Sequence, residues 1–558
     1  MPAPSASSSR ATALAWGTAL ALTIFKLWLV AAQPVTAVAD AQLDDRLFID
    51  LANSILHGHW LGDYGPRTLA KGCGYPLFIA AVHSLHLSLP LAQQALYALA
   101  CGALALAVAP AFRLRFLPLA IYLVLLFNPM SDEAPVMARV LRQHLATPAG
   151  MIALAGFAGL WLHVRANYYR RLAWSVAAGV GLAASWLSRE EATLLLPAVF
   201  LLAAGAVVAH RRAWSRGPTW ILLLLPWSIW GGANGLVALV NHHYYRAGVT
   251  VEFRAPEFAD AYGALVRVRP HQWQPYVPVA REVRERIYAV SPAFRELHDY
   301  FEGKPGRDWA ALGTALTGQP AEAREIAGGW FMWALRDAVG AAGHCHNAGE
   351  ALAYYRRLAA EVNGACERGL LDALPPRRGF LPPWNDGYRT PWLNASRATA
   401  GFLIGFESFY ARPAPSSGDA AGLELFQKTT RARLAPPEGR PPGYTALDRA
   451  RLRILEHIGR TYQALHPPLF WAALAGFLVL MVWPGRVGRA GLIGFQLALA
   501  GTVGATLGAI ALIGVSSFPT IITGYFHGSY PLLLCFTATG LAGAIDLLGA
   551  GHGRNPAA

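Results

Sequence analysis

Charged residues are scarce in this chain. Asp, Glu, Lys and Arg make up only 14% of its 558 residues, whereas a soluble globular chain is typically about a quarter charged. Hydrophobic residues make up 54%, which is more apolar sequence than a single soluble core needs. The excess predicts segments that face lipid, and so a protein that crosses a membrane several times.

The motifs of several soluble enzyme classes are also missing. No Walker loop, GxSxG elbow or dinucleotide fingerprint in a strand context occurs, which disfavours a soluble nucleotide-sugar enzyme. The net charge of +14 comes from basic residues scattered between apolar runs. Without a basic patch this charge does not indicate nucleic-acid binding, and cationic loops beside membrane spans explain it.

Cysteine is rare as well, with five residues and no CxxC pair, so a zinc site of that type is not expected. Cys345 and Cys366 lie in a large polar region that the charge pattern below places outside the cytosol. In that compartment the two cysteines could form a disulfide or remain free thiols, and the sequence leaves both possibilities open. No cofactor is indicated with certainty, and a divalent metal stays an open alternative.

Ten apolar runs have the composition of membrane spans: 11–32, 91–112, 116–128, 148–164, 172–187, 193–209, 218–240, 467–484, 490–516 and 529–550. The first run also fits a signal peptide, because Ala37-Val38-Ala39 has a small-x-small cleavage pattern, but its length favours an uncleaved span. The stretch 74–89 is apolar but short and contains His83 and His86. It is expected to lie in the interface or to enter the membrane partway.

The basic residues fix the orientation of these spans. With the N-terminus in the cytosol, the inside loops carry only positive charges, from Arg113, Arg115, Arg165, Arg170, Arg171, Arg211, Arg212, Arg216, Arg486, Arg489 and Arg554. None of these loops contains Asp or Glu, so the positive-inside rule holds at every loop. Counting 74–89 as a full crossing would invert several loops, and we therefore reject it.

The predicted fold is a mainly α, polytopic transmembrane helical bundle of about ten spans plus an interfacial or re-entrant helix. We expect an N-terminal transmembrane module over 1–240 that includes a first extracytoplasmic loop at 33–73. A large extracytoplasmic, mostly helical insertion follows over 241–466, and C-terminal transmembrane helices over 467–558. The insertion is long enough to bury a core of its own.

The first outside loop holds a pair of adjacent carboxylates, Asp44 and Asp45, at the start of an amphipathic helix. A helix-capping role explains one Asp well and a second beside it less well. Two like charges side by side raise one pKa, which suits a general base. Lys71 stands directly before Gly72 and close to Gly74, and these glycines would let the backbone approach a ligand closely. Its ammonium suits phosphate, although a lysine at a membrane surface often only snorkels.

Arg139, Arg142 and His144 fall on the same side of the membrane and are candidates to share a phosphate. The alternative is that the two arginines pair with Asp132 and Glu133 at the membrane edge.

Arg189, Glu190 and Glu191 stand at the end of a span. Interfacial ion pairing and substrate binding are both open for them, since charges are costly at this depth.

Several phrases together resemble a known family. An acidic pair after a first span, a Gly58-His59-Trp60 phrase that ends a helix, and the phrase Lys71-x-x-x-Tyr-Pro-Leu-Phe resemble the GT-C superfamily of membrane glycosyltransferases. The likeness is nearest to protein O-mannosyltransferases and aminoarabinose transferases. The phrases 188–191 and 525–532 are also similar to elements of that family. The resemblance covers mainly 11–240 and 467–550.

The resemblance implies roles for particular residues. Asp44 would be the acidic residue at the reaction centre, with Asp45 its neighbour, and Lys71 would hold the phosphate of a polyprenyl-phosphate sugar donor. In the late phrase this chain lacks the family's Arg, and His527 is the nearest substitute, close to Tyr530.

The expected function is transfer of a sugar from such a donor to a lipid, glycan or protein acceptor. The protein would be a multi-pass protein of the inner membrane, with its site and large domain in the periplasm. A transporter or flippase of lipid-linked glycans, or a glycan polymerase or ligase, are the alternatives.

Overall fold

The structure is a computed structural model that describes residues 6–211, 217–407, 409–482, 489–520 and 522–551. It is 72% helical and has no sheet within these ranges, which confirms the predicted mainly α, polytopic fold class. Extended segments meet only at isolated bridges in the described residues, such as Val35 with Leu434 and Val38 with Ser417.

Ten helices precede the large insertion. They are α1 (Ala6–Val30), α2 (Asp45–Leu56), α3 (Gly74–Ser84), α4 (Leu89–Val108), α5 (Leu117–Leu126), α6 (Ala134–Met137), α7 (Gln143–Leu162), α8 (Tyr168–Ser188), α9 (Leu196–His210) and α10 (Gly217–Tyr245).

The insertion and the C-terminal part contain thirteen more in the described residues. They are α11 (Pro256–Val266), α12 (Arg281–Val290), α13 (Pro292–Arg295), α14 (His298–Glu302), α15 (Lys304–Thr317), α16 (Gly328–Ala341), α17 (Ala348–Glu367), α18 (Arg389–Gly405), α19 (Ala420–Thr430), α20 (Ala446–Val482), α21 (Arg489–Ser516), α22 (Ile522–Phe526) and α23 (Ser529–Gly551).

Eight helices in the described ranges are long and apolar enough to cross a membrane: α1, α4, α7, α9, α10, α20, α21 and α23. The chain is therefore an integral membrane protein. The other two predicted spans also form helices, but α5 has only ten residues, and α8 begins with the polar run 168–171. The stretch 74–89 forms the short helix α3 followed by the start of α4.

Three contacts join segments that are far apart in the sequence. Lys26 of α1 pairs with Asp132, and Gln143 donates to the carbonyl of Gly524 at 3.1 Å. Asp546 accepts from the backbone N–H of Arg113 at 2.9 Å. Each contact joins segments that the charge pattern assigns to the same side. Of the arginines assigned to the cytosolic side, Arg212, Arg216, Arg486 and Arg554 lie outside the described residues.

The first loop and the insertion share one hydrophobic core. Leu47, Leu61 and Leu69 of the loop are buried in the same cluster as Phe258 and Tyr262 of α11. The loop is therefore packed against the insertion. At the far boundary α20 is continuous from Ala446 to Val482, so it runs across the predicted domain limit at 466.

A buried ion pair lies within this shared core. Glu252 and Arg336, which are 0% and 1% exposed, pair at 3.0 Å. Tyr64 of the first loop donates to the same carboxylate at 2.6 Å. Burial of Glu252 raises its pKa, and the Arg336 guanidinium opposes that rise.

The cysteines in the insertion are both free thiols, so the disulfide reading for Cys345 and Cys366 is wrong. Helix α17 separates them. It rises about 27 Å between Ala348 and Cys366 at 1.5 Å per residue, and the three residues before it span at most about 10 Å. A disulfide requires Cα atoms within about 7 Å of each other.

Candidate active site

Asp44 and Lys71 are in direct contact. Asp44 occupies the position before the first turn of α2, but its side chain makes no capping hydrogen bond there. Its carboxylate instead accepts from the Lys71 ammonium. The same ammonium donates to the backbone carbonyl of Leu43 at 2.5 Å. The sequence brings these two side chains together from positions 27 residues apart.

Gly72 and Gly74 place the Lys71 segment against the end of α8. A Cβ atom at Gly72 would lie 2.0 Å from the carbonyl oxygen of Leu187, and one at Gly74 would lie 2.7 Å from the hydroxyl of Ser188. Only glycine permits such close approach. The sequence suggested that these glycines let the backbone approach a ligand, whereas in the structure they let it approach α8.

Lys71 is only 8% exposed. Its ammonium lies 5.2 Å from the centre of the Phe48 ring and 5.6 Å from that of Trp333. Burial lowers the pKa of Lys71, and the Asp44 carboxylate only partly offsets this. The aromatic rings and the carboxylate therefore hold a largely dehydrated cation at a fixed point.

Asp44 is accessible to solvent although protein atoms surround it on most sides, with 51% of its side chain open. We call the solvent-open space in front of its carboxylate the cleft. Burial raises the pKa of Asp44, but the Lys71 ammonium outweighs this effect, with further help from Arg142 and Arg139, and the pKa lies below its ordinary value. Asp44 is thus an ionised carboxylate that a molecule in the cleft can reach.

Asp45 has a different environment from its neighbour. Its side chain is 0% exposed and pairs with the Arg139 guanidinium at 2.5 Å. Burial raises the pKa of Asp45, against the lowering effect of Arg139. The adjacent carboxylates therefore differ in accessibility: Asp44 is open to the cleft, and Asp45 holds Arg139 in place.

Three arginines predicted as site residues, Arg139, Arg142 and Arg189, lie close to Asp44 and Lys71. Arg142 binds Glu190 at 2.7 Å, and Arg189 binds Glu191 at 2.6 Å. Glu190 also contributes to the charge environment of Lys71.

The alternative pairing of Arg139 and Arg142 with Asp132 and Glu133 is wrong. Asp132 pairs with Lys26. Glu133 instead accepts from the backbone N–H of Val136 at 3.0 Å at the start of α6.

Three other predicted residues are buried within the protein. His144 is 4% exposed and bonds to the carbonyl of Arg139 at 3.0 Å. His527 is 2% exposed and bonds to the carbonyl of Met130 at 2.7 Å. Tyr530 is fully buried against Phe406. These side chains are buried between helices, although His144 bonds to Arg139 and the charge of Arg189 acts on His527.

Arg254, which sequence reasoning missed, also belongs to this cluster. Its guanidinium donates to the backbone carbonyls of Trp186 at 3.0 Å and Arg189 at 2.7 Å, and it lies 4.8 Å from the Trp186 ring. Burial lowers the pKa of Arg254, while Glu190 and Glu191 oppose this. Nothing in the local sequence marks it, because it lies at the start of the insertion, far along the chain from the other site residues.

A groove of about 620 Å³, including the space open to solvent, begins at Arg189 and Glu191. Apart from these two residues and Tyr525, its walls are small or apolar side chains of the segment 192–195 and of α7, α8, α21 and α23, such as Met151 and Leu532. Burial and the Glu191 carboxylate raise the pKa of Tyr525 to about 12, and Asp44 also contributes. The groove therefore connects the charged cluster with the apolar part of the bundle.

In the part of the chain that the structure describes, no group of three or more His, Cys, Asp or Glu side chains is arranged to hold a metal ion. The carboxylates of the site are instead engaged with Lys71, Arg139, Arg142 and Arg189.

No protein-family model matches the chain, and no curated protein sequence matches it. Crystal structures of ArnT from Cupriavidus metallidurans are similar to it. The apo structure has a TM-score of 0.31 at 14% identity and covers 95% of this chain and 78% of its own. The structure bound to undecaprenyl phosphate has a TM-score of 0.31 at 12% identity and covers 91% and 77%. ArnT is an aminoarabinose transferase of the GT-C family, which is the family that the sequence phrases resemble.

Proposed function

We propose that the chain is a membrane glycosyltransferase that moves a sugar from a polyprenyl-phosphate donor to the hydroxyl of an acceptor. One observation carries the proposal: the half-exposed carboxylate of Asp44 contacts the buried ammonium of Lys71, close to the charged end of an apolar groove. Such a transfer needs a base for the nucleophile and positive charge for the departing phosphate. This site offers both.

In the proposed reaction Asp44 accepts the proton of the acceptor hydroxyl. The hydroxyl oxygen forms a bond to the anomeric carbon as the bond from that carbon to the phosphate oxygen breaks. The bonding electrons leave with the polyprenyl phosphate. The lowered pKa keeps Asp44 ionised at neutral pH, and its open side chain lets an acceptor reach it.

The leaving phosphate would be stabilised by the cations of the cluster. Lys71, Arg139, Arg142 and Arg189 each pair with one carboxylate. Arg254 adds a further positive charge, and it donates hydrogen bonds to the backbone carbonyls of Trp186 and Arg189. The cluster therefore carries an excess of one positive charge over these partners, which favours a phosphate at this position.

The groove suits the polyprenyl chain. Its walls are mostly apolar and small, and they lie between helices long enough to cross a membrane. A lipid tail here would be held beside the spans while its phosphate reaches Arg189 and the charges behind it. The arrangement agrees with a lipid-linked donor and disfavours a water-soluble nucleotide sugar.

We further propose that the site faces the periplasm and that the protein lies in the inner membrane. This orientation rests on the positive-inside pattern, which leaves the loops with Asp44, Lys71 and the 188–191 turn on the extracytoplasmic side. The sugar and the acceptor, whether lipid, glycan or protein, are left to experiment.

The test is transfer by the purified full-length protein. It would be incubated with a panel of sugars linked to undecaprenyl phosphate, the lipid named in one structural neighbour, and with a membrane-lipid extract as acceptor. Mass spectrometry should detect released undecaprenyl phosphate and a matching mass gain in an acceptor. Consumption of a nucleotide sugar in its place, or intact donors in the whole panel with folded protein, would contradict the proposal.

A further inference from the structure

Helix α20 carries a row of basic residues on one face of its first half. The helix has 37 residues and is about 55 Å long, which exceeds the roughly 30 Å hydrocarbon thickness of a bilayer. At 100° per residue, Arg449, Arg453, His457 and Arg460 fall within about 80° of one another. We call these four exposed residues the basic stripe.

No member of the basic stripe has a carboxylate partner within the described ranges. Arg449 donates to the carbonyl of Tyr444 at 2.6 Å, and Arg453 to the carbonyl of Arg449 at 3.4 Å. The acidic residue next to the stripe, Glu456, is already paired with Arg412 at 3.3 Å. The stripe therefore presents uncompensated positive charge at the surface.

An apolar groove runs along the edge of the basic stripe. Its volume is about 930 Å³ including open solvent, and Arg453 and His457 form part of its wall. The rest of the wall includes Phe127 at the end of α5 and Ile458 and Tyr462 of α20. The groove is separate from the site around Asp44, with which it shares no lining residue.

The groove lies near the ends of membrane helices. The Arg451 guanidinium sits 4.2 Å from the ring of Trp28, close to the end of α1. Tyr462 donates to the carbonyl of Val124, close to the end of α5, at 2.7 Å. Further along α20 the exposed side chains of Leu465 and Leu469 continue the apolar surface toward the opposite end of the bundle.

We propose that this groove binds an anionic membrane phospholipid. The phosphate contacts Arg453 and His457, and the acyl chains lie along Ile458, Leu465 and Leu469. Charge complementarity favours this occupant, because a headgroup phosphate meets the unpaired guanidinium of Arg453 just where apolar surface begins. A basic stripe on a water-exposed helix would lack the adjoining apolar groove.

Native mass spectrometry of the delipidated full-length protein tests the proposal. Phosphatidylglycerol and phosphatidylcholine with identical acyl chains would be titrated separately. Wild type should bind phosphatidylglycerol more tightly. Each arginine near a membrane surface contributes about a fivefold gain in affinity for anionic lipid, so Arg453→Gln/Arg460→Gln should weaken phosphatidylglycerol binding by at least tenfold.

Arg307→Gln/Arg368→Gln is the matched control, because both arginines are exposed residues of the insertion and the net charge changes equally. It should bind like wild type. Arg453→Lys/Arg460→Lys keeps the charge and should retain binding even if the glutamine variant folds poorly. Equal binding of both lipids by wild type, unchanged binding in the glutamine variant, or full competition by millimolar inorganic phosphate would overturn the proposal.

Discussion

Replacing Asp44 by Asn removes the negative charge that the proposed base needs and keeps a side chain of nearly the same size. The amide oxygen can still accept from Lys71, so the local fold should persist. The structure predicts different effects of this substitution on the rate of transfer and on the stability of the fold.

The rate should fall 10²- to 10⁴-fold, the usual contribution of a positioned general base, which corresponds to about 3–5 kcal/mol in the activation barrier. The loss of stability should be much smaller. Asp44 is half exposed, which weakens the pair, and Lys71 keeps the carbonyl of Leu43 and the Phe48 ring. We expect about 1–2 kcal/mol, well below the 3–5 kcal/mol typical of breaking a fully buried pair.

The assay is steady-state transfer from an undecaprenyl-phosphate sugar, with thermal unfolding measured on the same samples. Asp50→Asn is the matched control, because Asp50 lies on α2 as well and is exposed, with Arg46 as its surface partner at 2.8 Å. Its kcat should be unchanged. A kcat for Asp44→Asn within fivefold of wild type would refute the role of Asp44 as base.

Three further predictions concern the scaffold. In denaturant unfolding Gly72→Ala should destabilise the fold by about 1–3 kcal/mol, and it should lower transfer, because its Cβ would lie 2.0 Å from a carbonyl at the end of α8. Gly65→Ala is the control and should be neutral in denaturant unfolding, because its Cβ would meet nothing within 4 Å. Glu252→Gln should cost about 3–5 kcal/mol in the same assay by leaving its buried arginine unpaired. Glu257→Gln should cost less than about 1 kcal/mol, because Glu257 is partly exposed and its partner Arg356 is exposed. Burial raises the pKa of Glu133 to about 8, so folding favours its protonated carboxyl. The thermal stability that this carboxyl contributes should therefore be lost as pH rises from about 4.5 to 8. The melting temperature of Glu133→Gln should fall less than that of wild type over this range, and parallel curves for the two proteins would contradict the prediction.

Apolar run length was sufficient to locate the helices of the predicted spans. All ten predicted runs form helices, and α3 occupies the stretch set aside as interfacial. Eight of the helices are long and apolar enough to cross. The packing of the first loop into the core of the insertion was not predictable, because a sequence shows which residues are apolar but not which of them pack together.

The site was only partly accessible to sequence reasoning. Adjacent acids and a lysine followed by two nearby glycines pointed to Asp44 and Lys71, which do meet. The same reasoning could not foresee that Asp45 would be buried against Arg139. It also selected His144 and His527, whose rings bond to backbone carbonyls inside the protein, because a residue type alone does not reveal burial.

Two errors have the same physical origin. The expected pairs of Asp132 and Glu133 with nearby arginines assumed that sequence neighbours pair, whereas Lys26 reaches Asp132 across the bundle. The disulfide reading likewise ignored the length of the helix between Cys345 and Cys366. In both cases tertiary distance, which the sequence does not state, decided the outcome.

The position of the donor phosphate is the most direct test of the account. A cryo-EM structure of the protein with undecaprenyl phosphate should show the phosphate within hydrogen-bond distance of Lys71 or the neighbouring arginines, with the lipid chain in the groove that begins at Arg189 and Glu191. Density for the phosphate away from this cluster, with the cleft at Asp44 and the groove both empty, would contradict the proposed site.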